Sequence, residues 1–365
     1  MKNTVFPIEK AEVSTFQIPT QSKESDGTLA WEATTLIICE ISAGGFKGMG
    51  YTYSHKAAAI LIKDKLSQLI KGMNALAVQD CWVAMLAAVR NLGSTGIAAS
   101  AIAAADTALW DLKARIMEIP LVTLLGQVHN SIKIYGSGGF TSYSKEQLQN
   151  QLSGWAEQGI STVKMKVGRH PEQDIRRVRE AREAIGDQTE LMVDANGGYS
   201  RKQALAFAEA FSRYGVIWFE EPVSSDDLSG LRLVRDRAPA GMEIAAGEYG
   251  YDLFYFRRML EAGAVDVLQA DTTRCAGYTG FLKTAALCEA ANIPFSAHTA
   301  PALHLPAACA AIPFRHQEYF FDHVRIEKML FEGVPEPENG KLSPDLSRPG
   351  NGLALKRTDA EKYRI

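Results

Sequence analysis

Polar side chains recur at the ends of short apolar runs through the last two-thirds of the chain. Apolar runs such as Leu191-Met192-Val193 alternate with amphipathic helical segments, an alternation typical of parallel α/β folds. The polar residues that end these runs are 20 to 28 positions apart, close to the length of one βα unit. They are Lys166, Asp194, Glu220, Glu248, Asp271, His298 and Glu318.

This spacing favours a closed barrel over an open sheet. A (β/α)₈ barrel brings the carboxyl ends of all its strands to one mouth, whereas an open doubly wound sheet binds ligands at a switch point. A chain of 365 residues is long enough for a barrel and a smaller domain. We therefore predict an α/β fold with a TIM barrel over residues 126–334 and a ring of chemical side chains at its mouth.

The first 125 residues predict an α+β domain that precedes the barrel. Within it, the polar stretch 21–27 has the composition of a mobile loop. The tail, about 335–365, is rich in Pro, Gly and charge, and we expect it to wrap back over the first domain and complete it. The predicted strands are 34–41 and 47–53, and the predicted helices are 57–70 and 98–116.

Composition narrows the class of partner to small molecules. The formal net charge of −3 gives no electrostatic reason to expect nucleic acid or an anionic membrane. We find neither a run of apolar residues long enough to span a bilayer nor the apolar core of a signal peptide. The 5 cysteines are scattered and form no CxxC pair, which indicates a reducing compartment, by default the cytoplasm.

Three acids end three consecutive predicted strands, Asp194, Glu220 and Glu248. Three converging carboxylates without a cation would repel and raise one another's pKa. Oxygen-only ligands suit Mg²⁺, which keeps open positions for substrate and water. Any one of these acids alone could be a solvated strand end, but the regular spacing of all three predicts a magnesium site.

Two lysines lie on the strand before these acids. Lys164 and Lys166 are two residues apart, so both side chains point to one face, which in a barrel is the interior. A lysine beside another cation has its pKa lowered and can act as a base. The alternative is an exposed strand with two solvated lysines, and Asp194 on the next strand argues against it.

A histidine and an aspartate end two later strands. Asp271 and His298 on neighbouring strands would form a pair in which the carboxylate sets the imidazole tautomer and raises its basicity. Glu318 on the eighth strand could donate a proton if its site keeps it neutral. Asp322 and His323 lie close by in sequence and could fill that role instead.

Three further polar residues are candidates for contact with a substrate. Asn196 could bind substrate, or it could form the turn Asn196-Gly197-Gly198. Arg274 could hold a carboxylate or make an ordinary salt bridge. Ser137 ends the first predicted barrel strand and is a candidate for the lining of the site.

Taken in order, these motifs resemble the enolase superfamily, in particular its mandelate racemase subgroup. The similarity extends over nearly the whole chain, and the ordered set is far more specific than any single motif. Ala105-Asp106-Thr107-Ala108-Leu109-Trp110-Asp111-Leu112 resembles the family's entry into its barrel. The other matching segments are Val163-Lys164-Met165-Lys166, Val193-Asp194-Ala195-Asn196, Phe219-Glu220-Glu221-Pro222, Ala246-Gly247-Glu248, Asp271 and Ser296-Ala297-His298.

The resemblance implies a modified (β/α)₇β barrel with an N-terminal capping domain, and a homo-oligomer. It implies Mg²⁺ on the three acids and abstraction of the proton α to a substrate carboxylate through an enediolate. Lys166 would be one base and the Asp271–His298 pair the other. Lys164 would neutralise the substrate carboxylate, and Glu318 would donate a hydrogen bond to it.

The reaction that follows proton abstraction stays open at this point. Dehydration of a sugar acid is the favoured reaction, with His298 as the acid that expels the hydroxyl. Racemisation, epimerisation or cycloisomerisation would share the first half-reaction. The muconate-cycloisomerase subgroup fits less well, because it would place a lysine where Asp271-Thr272-Thr273-Arg274 stands. Within the resemblance, specificity is expected from capping loops near 21–31 and 50–55.

Other classes of protein fit the sequence less well. A metal-dependent hydrolase on a similar barrel would need an HxH pair after the first strand, where Tyr135-Gly136-Ser137-Gly138 stands. A binding protein without activity would be expected to lack a ligand or a base, and a Rossmann dehydrogenase would need a GxGxxG after a strand. The histidines His298, His304, His316 and His323 have spacings that fit no usual zinc pattern.

Overall fold

The computed structural model describes residues 5–365 and begins with a three-stranded antiparallel sheet of order β1-β2-β3. Its strands are β1 (Lys10–Ser25), β2 (Ala30–Ala43) and β3 (Phe46–Tyr53). Residues 36–39 of β2 are buried, as expected for a β-branched central strand. The strands predicted at 34–41 and 47–53 are confirmed within β2 and β3.

The prediction of a loop over 21–27 is wrong for most of that segment. Residues 21–25 belong to β1, where Glu24 pairs with Trp31 and Ser25 with Ala30. The turn occupies only residues 26–29, and the Thr28 and Leu29 amides donate to Asp26 Oδ1 at 2.7 and 2.6 Å. A long partner strand supplies backbone hydrogen bonds to this polar segment, which its composition does not reveal.

Helices pack against the first sheet. Residues 57–70 are helical with a π-helical segment, Ile62–Leu66, in the middle, so this predicted helix and the one at 98–116 are confirmed. Gly50 of β3 allows close approach of a helix, since a Cβ there would lie 2.1 Å from Thr107 Oγ1. The helices are α1 (Ala57–Leu61), α2 (Ser67–Ile70), α3 (Val78–Val89), α4 (Ile97–Ile116) and α5 (Leu121–Leu125). We call β1 to α5 the N-terminal unit.

Eight parallel strands then close into a barrel through pairing of the last strand with the first. The predicted TIM barrel is confirmed; seven helices alternate with the eight strands, and an eighth helix follows the last strand. The strands are β4 (Ile132–Gly138), β5 (Thr162–Lys166), β6 (Glu190–Asp194), β7 (Val216–Glu220), β8 (Glu243–Ala246), β9 (Val267–Ala270), β10 (Phe295–Ala297) and β11 (Phe314–Phe320). The helices are α6 (Lys145–Glu157), α7 (Pro171–Ile185), α8 (Arg201–Ser212), α9 (Leu228–Arg237), α10 (Leu253–Glu261), α11 (Gly277–Ala290), α12 (Pro301–Ala310) and α13 (Phe321–Leu330).

Large side chains fill the barrel interior beneath its mouth. Tyr135, Met192, Trp218, Ala245 and Val267 form one buried cluster, contributed by five different strands. Packing of this kind makes the interior of such a barrel a solid core. Polar residues at the carboxyl ends of the strands therefore rest on a rigid floor.

The tail contacts the barrel before it reaches the first sheet. The chain after the last barrel helix contains β12 (Phe331–Glu332), and the tail contains β13 (Lys341–Leu342), β14 (Ala354–Leu355) and α14 (Arg357–Glu361). Strand β13 pairs with β4 of the barrel, and the Gln17 amide of β1 donates to the Tyr363 carbonyl at 2.8 Å. Across residues 5–365, we find no helix that combines the length and apolar character needed to cross a membrane.

Candidate active site

The ring of polar residues predicted from spacing assembles at one mouth of the barrel. Lys166, Asp194 and Glu220 are the last residues of β5, β6 and β7. Glu248, Asp271 and His298 follow the next three strands, and Glu318 lies near the end of β11; all seven are buried. Parallel strands aim their carboxyl ends at one point, which explains how residues so far apart in sequence meet.

The three predicted metal ligands form a compact carboxylate cluster. One oxygen from each of Asp194, Glu220 and Glu248 lies within 4.8 Å of the others. Burial, together with the neighbouring Asp194, raises the pKa of Glu220 to about 8 although Lys164 opposes it. Glu248 Oε2 is buried and has no hydrogen-bond partner among residues 5–365. An orphaned oxygen within a cluster of acids fits a hard divalent cation, which takes oxygen ligands.

The two lysines of β5 point inward, as predicted, and contact the acids. Lys164 Nζ lies 2.6 Å from Glu220 Oε1 and 3.0 Å from Glu318 Oε1. Lys166 Nζ makes a short hydrogen bond to Asp194 Oδ2. Burial acts to lower the pKa of both lysines, but in this geometry the carboxylates outweigh burial and raise it. A lowered lysine pKa and the role of a base stay predictions.

The Asp271–His298 pair forms as predicted. His298 Nδ1 lies 2.8 Å from Asp271 Oδ2, and the Thr273 amide donates to Asp271 Oδ1 at 2.7 Å. Burial acts to raise the pKa of Asp271, but the hydrogen bond and charge of His298 outweigh it and the pKa is lowered. The other ring nitrogen, His298 Nε2, lies 3.4 Å from Glu248 Oε2. The histidine is thus fixed at one nitrogen and faces the acid cluster with the other.

Glu318 belongs to the ring, but as an acceptor. Ser137 Oγ donates to Glu318 Oε1 at 2.5 Å, and the Thr299 amide donates to Oε2 at 2.9 Å. Burial acts to raise the pKa of Glu318, but Lys164 outweighs it and the pKa is lowered. In this geometry Glu318 accepts hydrogen bonds, and its expected role as a proton donor stays a prediction. Asp322 instead accepts a hydrogen bond from Thr34 Oγ1 at 2.5 Å, away from the ring.

The three candidate substrate contacts are placed differently. Asn196 and Arg274 line the cavity above the ring. Asn196 has a left-handed backbone, with φ of 45°, and its Oδ1 is buried without a hydrogen-bond partner in the described chain. Arg274 Nη1 donates to the Glu248 carbonyl at 3.1 Å. Ser137 is wholly buried, donates to Glu318 and does not line the cavity, and its contact with substrate stays a prediction.

Sequence reasoning missed two side chains that hold the central acid. Trp218 Nε1 donates to Glu220 Oε2 at 2.9 Å, and Gln269 Nε2 donates to the same oxygen at 3.1 Å. Trp218 precedes Glu220 by two positions and Gln269 precedes Asp271 by two, so each pair shares a strand face. The same period of two that places both lysines on one strand face identifies these two residues from the sequence.

The cavity of about 400 Å³ lies between the barrel mouth and the N-terminal unit. Asp26, Leu29, Trp31 and Tyr53 form its upper wall, and barrel residues form its floor. A volume of this size is typical of sites for small molecules.

The remaining histidines have structural partners. His304 Nε2 accepts from the Thr272 amide at 2.7 Å, and His316 Nδ1 lies 2.8 Å from Ser296 Oγ. His323 stacks on the Tyr53 ring. Within residues 5–365 the three-acid cluster is the one group of three or more potential ligands that comes together, so no histidine zinc site of a hydrolase forms.

A barrel with this ring of acids, lysines and an Asp–His pair defines a class of metal-assisted enzymes, and comparison with known proteins identifies the family. Residues 147–360 match the enolase C-terminal domain-like family model, and residues 11–126 match the N-terminal domain of mandelate racemase/muconate lactonizing enzyme. The chain belongs to the mandelate racemase subgroup of the enolase superfamily.

Relatives span two reaction types. The 3,6-anhydro-alpha-L-galactonate cycloisomerase of Streptomyces coelicolor is 32% identical, over 95% of this chain and 97% of its own length. The L-talarate/galactarate dehydratase of Salmonella typhimurium is 32% identical over 84% of this chain and 77% of its own length.

Solved structures agree over the whole fold. A mandelate racemase/muconate lactonizing enzyme-like protein from Rubrobacter xylanophilus is 52% identical with a TM-score of 0.96, covering 98% of this chain and 100% of that one. A racemase from Streptomyces coelicolor with bound magnesium is 30% identical with a TM-score of 0.92, covering 98% of this chain and 100% of that one.

Proposed function

We propose that this protein abstracts the proton α to the carboxylate of a sugar acid, with the aid of Mg²⁺, and eliminates water from the product. One observation carries the proposal: two candidate bases contact the same buried acid cluster. Lys166 Nζ contacts Asp194, and His298 Nε2 lies 3.4 Å from Glu248. A substrate bound over the cluster would have one base on each side.

Asp194, Glu220 and Glu248 are the residues that would hold Mg²⁺. Their proximity and burial support this role, as does the bound magnesium in the Streptomyces coelicolor racemase structure. When bound, the cation supplies electrostatic stabilisation of the negative charge that develops on the substrate carboxylate. Lys164, wholly buried between Glu220 and Glu318, adds a fixed positive charge at the same place.

Lys166 and His298 are the residues that would transfer protons to and from the substrate. If Asp194 ligated the cation, its carboxylate would hold the Lys166 ammonium less tightly. Lys166 would then lose its proton to solvent and accept the α-proton as the neutral amine. Asp271 accepts the Nδ1–H of His298, and in the protonated imidazole the second proton lies on Nε2, which faces the cavity. His298 then donates a proton to the departing β-hydroxyl, water leaves, and the enol rearranges to a 2-keto-3-deoxy acid.

Cycloisomerisation of a sugar-acid lactone or anhydro sugar is the second candidate. It shares the α-proton chemistry and differs in the bond that breaks or forms at the neighbouring carbons. The observation in its favour is the Streptomyces coelicolor cycloisomerase, which aligns with 95% of this chain. Racemisation or epimerisation would use both bases without loss of water.

Product analysis with a panel of sugar acids tests the proposal. We expect a 2-keto-3-deoxy acid by proton NMR with Mg²⁺, and none after EDTA. Glu220→Gln removes a metal ligand and should lower turnover by at least about 100-fold, whereas the exposed Glu209→Gln on α8 should not. A cyclic or linear isomer in place of the keto acid would support cycloisomerisation, and turnover that survives EDTA would contradict the metal role.

The proposal includes a homo-oligomer and a reducing compartment such as the cytoplasm. The five cysteines are buried and unpaired in the structure, which supports the second point. The homo-oligomer is expected from the family. Sedimentation analysis of the purified protein should show a mass above that of one 39.9 kDa chain, and a monomer at all concentrations would contradict it.

A further inference from the structure

The charges that line the cavity point to the class of substrate. We infer that the substrate carries a single carboxylate, the one at the reacting end, and a neutral, hydroxylated far end, as in an aldonic acid or anhydroaldonic acid. An aldaric acid, with a second carboxylate, would be disfavoured. The inference rests on the proposed function because it assigns the reacting carboxylate to the acid cluster and its lysines.

The fixed positive charges in the lining are already engaged. Among residues 5–365, the cavity lining contains one lysine, Lys166, and one arginine, Arg274. Lys166 is paired with Asp194. Arg274 Nη1 lies 3.4 Å from Glu248 Oε1, and its Nε lies 3.6 Å from Asp271 Oδ2. Both cations therefore serve the reacting end, and neither is available to a second substrate carboxylate.

The upper wall offers no replacement charge. Burial lowers the pKa of His323 to about 3, and this ring stacks on Tyr53 with 3.6 Å between ring centres. His55 Nδ1 accepts a hydrogen bond from the Ala57 amide at 3.2 Å. Leu29, Trp31 and Phe320 add apolar surface to the lining. A carboxylate placed against this wall would lose water without gaining a cation, which is costly.

One wall residue is itself an acid. Asp26 uses Oδ1 to accept the Thr28 and Leu29 amides, and no hydrogen bond within the described chain engages Oδ2. A free carboxylate oxygen accepts hydrogen bonds from hydroxyl groups and repels another carboxylate. Asp26 thus favours a polyol end over an acidic end.

Unpartnered neutral groups support hydroxyl recognition. Tyr53 Oη and Asn196 Oδ1 are buried atoms without a hydrogen-bond partner within residues 5–365, and both side chains line the cavity. Buried polar atoms are nearly always satisfied, so these two indicate bonds that a ligand completes. A phenol and an amide oxygen together can bind hydroxyls and require no charge from the ligand.

Matched pairs of acids test the inference. Each pair is an aldonate and the aldarate of the same configuration, and their affinities are measured by calorimetry with Mg²⁺ on Lys166→Met, in which turnover is suppressed. We expect the aldonate to bind about tenfold tighter or more, and equal or tighter aldarate binding would overturn the inference. Exchange of the α-proton by the wild-type protein, with either acid, separately decides the proposed function.

Charge substitutions in the wall give a second readout. Leu29→Arg supplies the missing cation and should raise the aldarate-to-aldonate ratio of kcat/KM by about tenfold relative to the matched Leu29→Gln. Asp26→Asn keeps the acceptor for the two amides and should shift the ratio in the same direction. No difference between Leu29→Arg and Leu29→Gln would show that wall charge does not select the substrate, and would overturn the inference.

Discussion

Each candidate base has a carboxylate beside it that sets its orientation. Asp194 holds Lys166, and Asp271 holds His298 by the ring nitrogen remote from the cavity. The two carboxylates differ in what else they do, since Asp194 is also a candidate metal ligand and Asp271 is not. The lysine can therefore be released by a change at its partner, whereas the histidine stays fixed.

This difference leads to a prediction for His298→Asn. The amide can keep the contact with Asp271 but cannot donate a proton to the leaving hydroxyl, so formation of keto acid should fall by about 10² to 10⁴-fold. Exchange of the α-proton through Lys166 should persist. The control is His170→Asn, a substitution at an exposed position before α7. Equal loss of exchange and dehydration would contradict the assigned division of roles.

A buried acid outside the site leads to a prediction about pH. Burial raises the pKa of Glu327 from 4.5 to about 8, although Tyr51 Oη donates to it at 2.5 Å and the Ala302 amide at 3.1 Å. Because the folded state keeps this proton longer than the unfolded state, its contribution to stability is complete below pH 4.5 and is lost as the pH rises toward about 8.

Glu327→Gln isolates this effect. The amide cannot ionise, yet it loses an acceptor, so the wild-type protein should have the higher Tm at low pH. That advantage should narrow as the pH rises from 4.5 to about 8. Thermal unfolding of both proteins across this range checks the expectation, and a Tm difference that stays constant with pH would count against it.

At the scale of elements, the β1–β2 hairpin forms the upper wall of the cavity. Its turn contacts the barrel directly: Thr141 Oγ1 donates to the Asp26 carbonyl at 2.8 Å, and a Cβ on Gly27 would lie 2.1 Å from the Ala195 carbonyl oxygen. Glycine is therefore required at this contact because the two backbones approach too closely for any side chain.

Gly27→Ala should push the hairpin away from the barrel mouth. We expect KM for the substrate to rise about tenfold with a smaller change in kcat, because the wall moves while the ring of acids stays in place. Gly154→Ala is the matched control, since a Cβ there meets no atom within 4 Å. Steady-state kinetics of both variants decide the matter, and an unchanged KM for Gly27→Ala would contradict a role of the hairpin in substrate binding.

The barrel elements could be predicted because each strand is short, apolar and ended by a polar residue. Prediction was weaker where a strand is polar. The last barrel strand, Phe314–Phe320, includes Arg315-His316-Gln317, a segment that does not look apolar in the sequence. There the neighbouring strands supply the environment: Ser296 Oγ lies 2.8 Å from His316 Nδ1 and donates to the His316 carbonyl at 2.9 Å.

For the whole molecule, the cavity depends on how the N-terminal unit sits on the barrel. Thr34 Oγ1 of β2 donates to Asp322 of α13, and Arg325 Nη2 donates to the Pro19 carbonyl of β1 at 2.8 Å. These contacts join residues about three hundred positions apart. The ring of site residues could be predicted from local spacing. The cavity wall and its charges could not be predicted, because such long-range pairs leave no local pattern in the sequence.

Exchange of the α-proton in D₂O tests the central claim most directly. The wild-type protein with Mg²⁺ is incubated with each sugar acid, and the α-proton signal is followed by NMR. We expect loss of this signal for the substrate, no loss after EDTA, and at least about 100-fold slower loss with Lys166→Met. Exchange that is unaffected by EDTA or by Lys166→Met would contradict metal-assisted proton abstraction at this site.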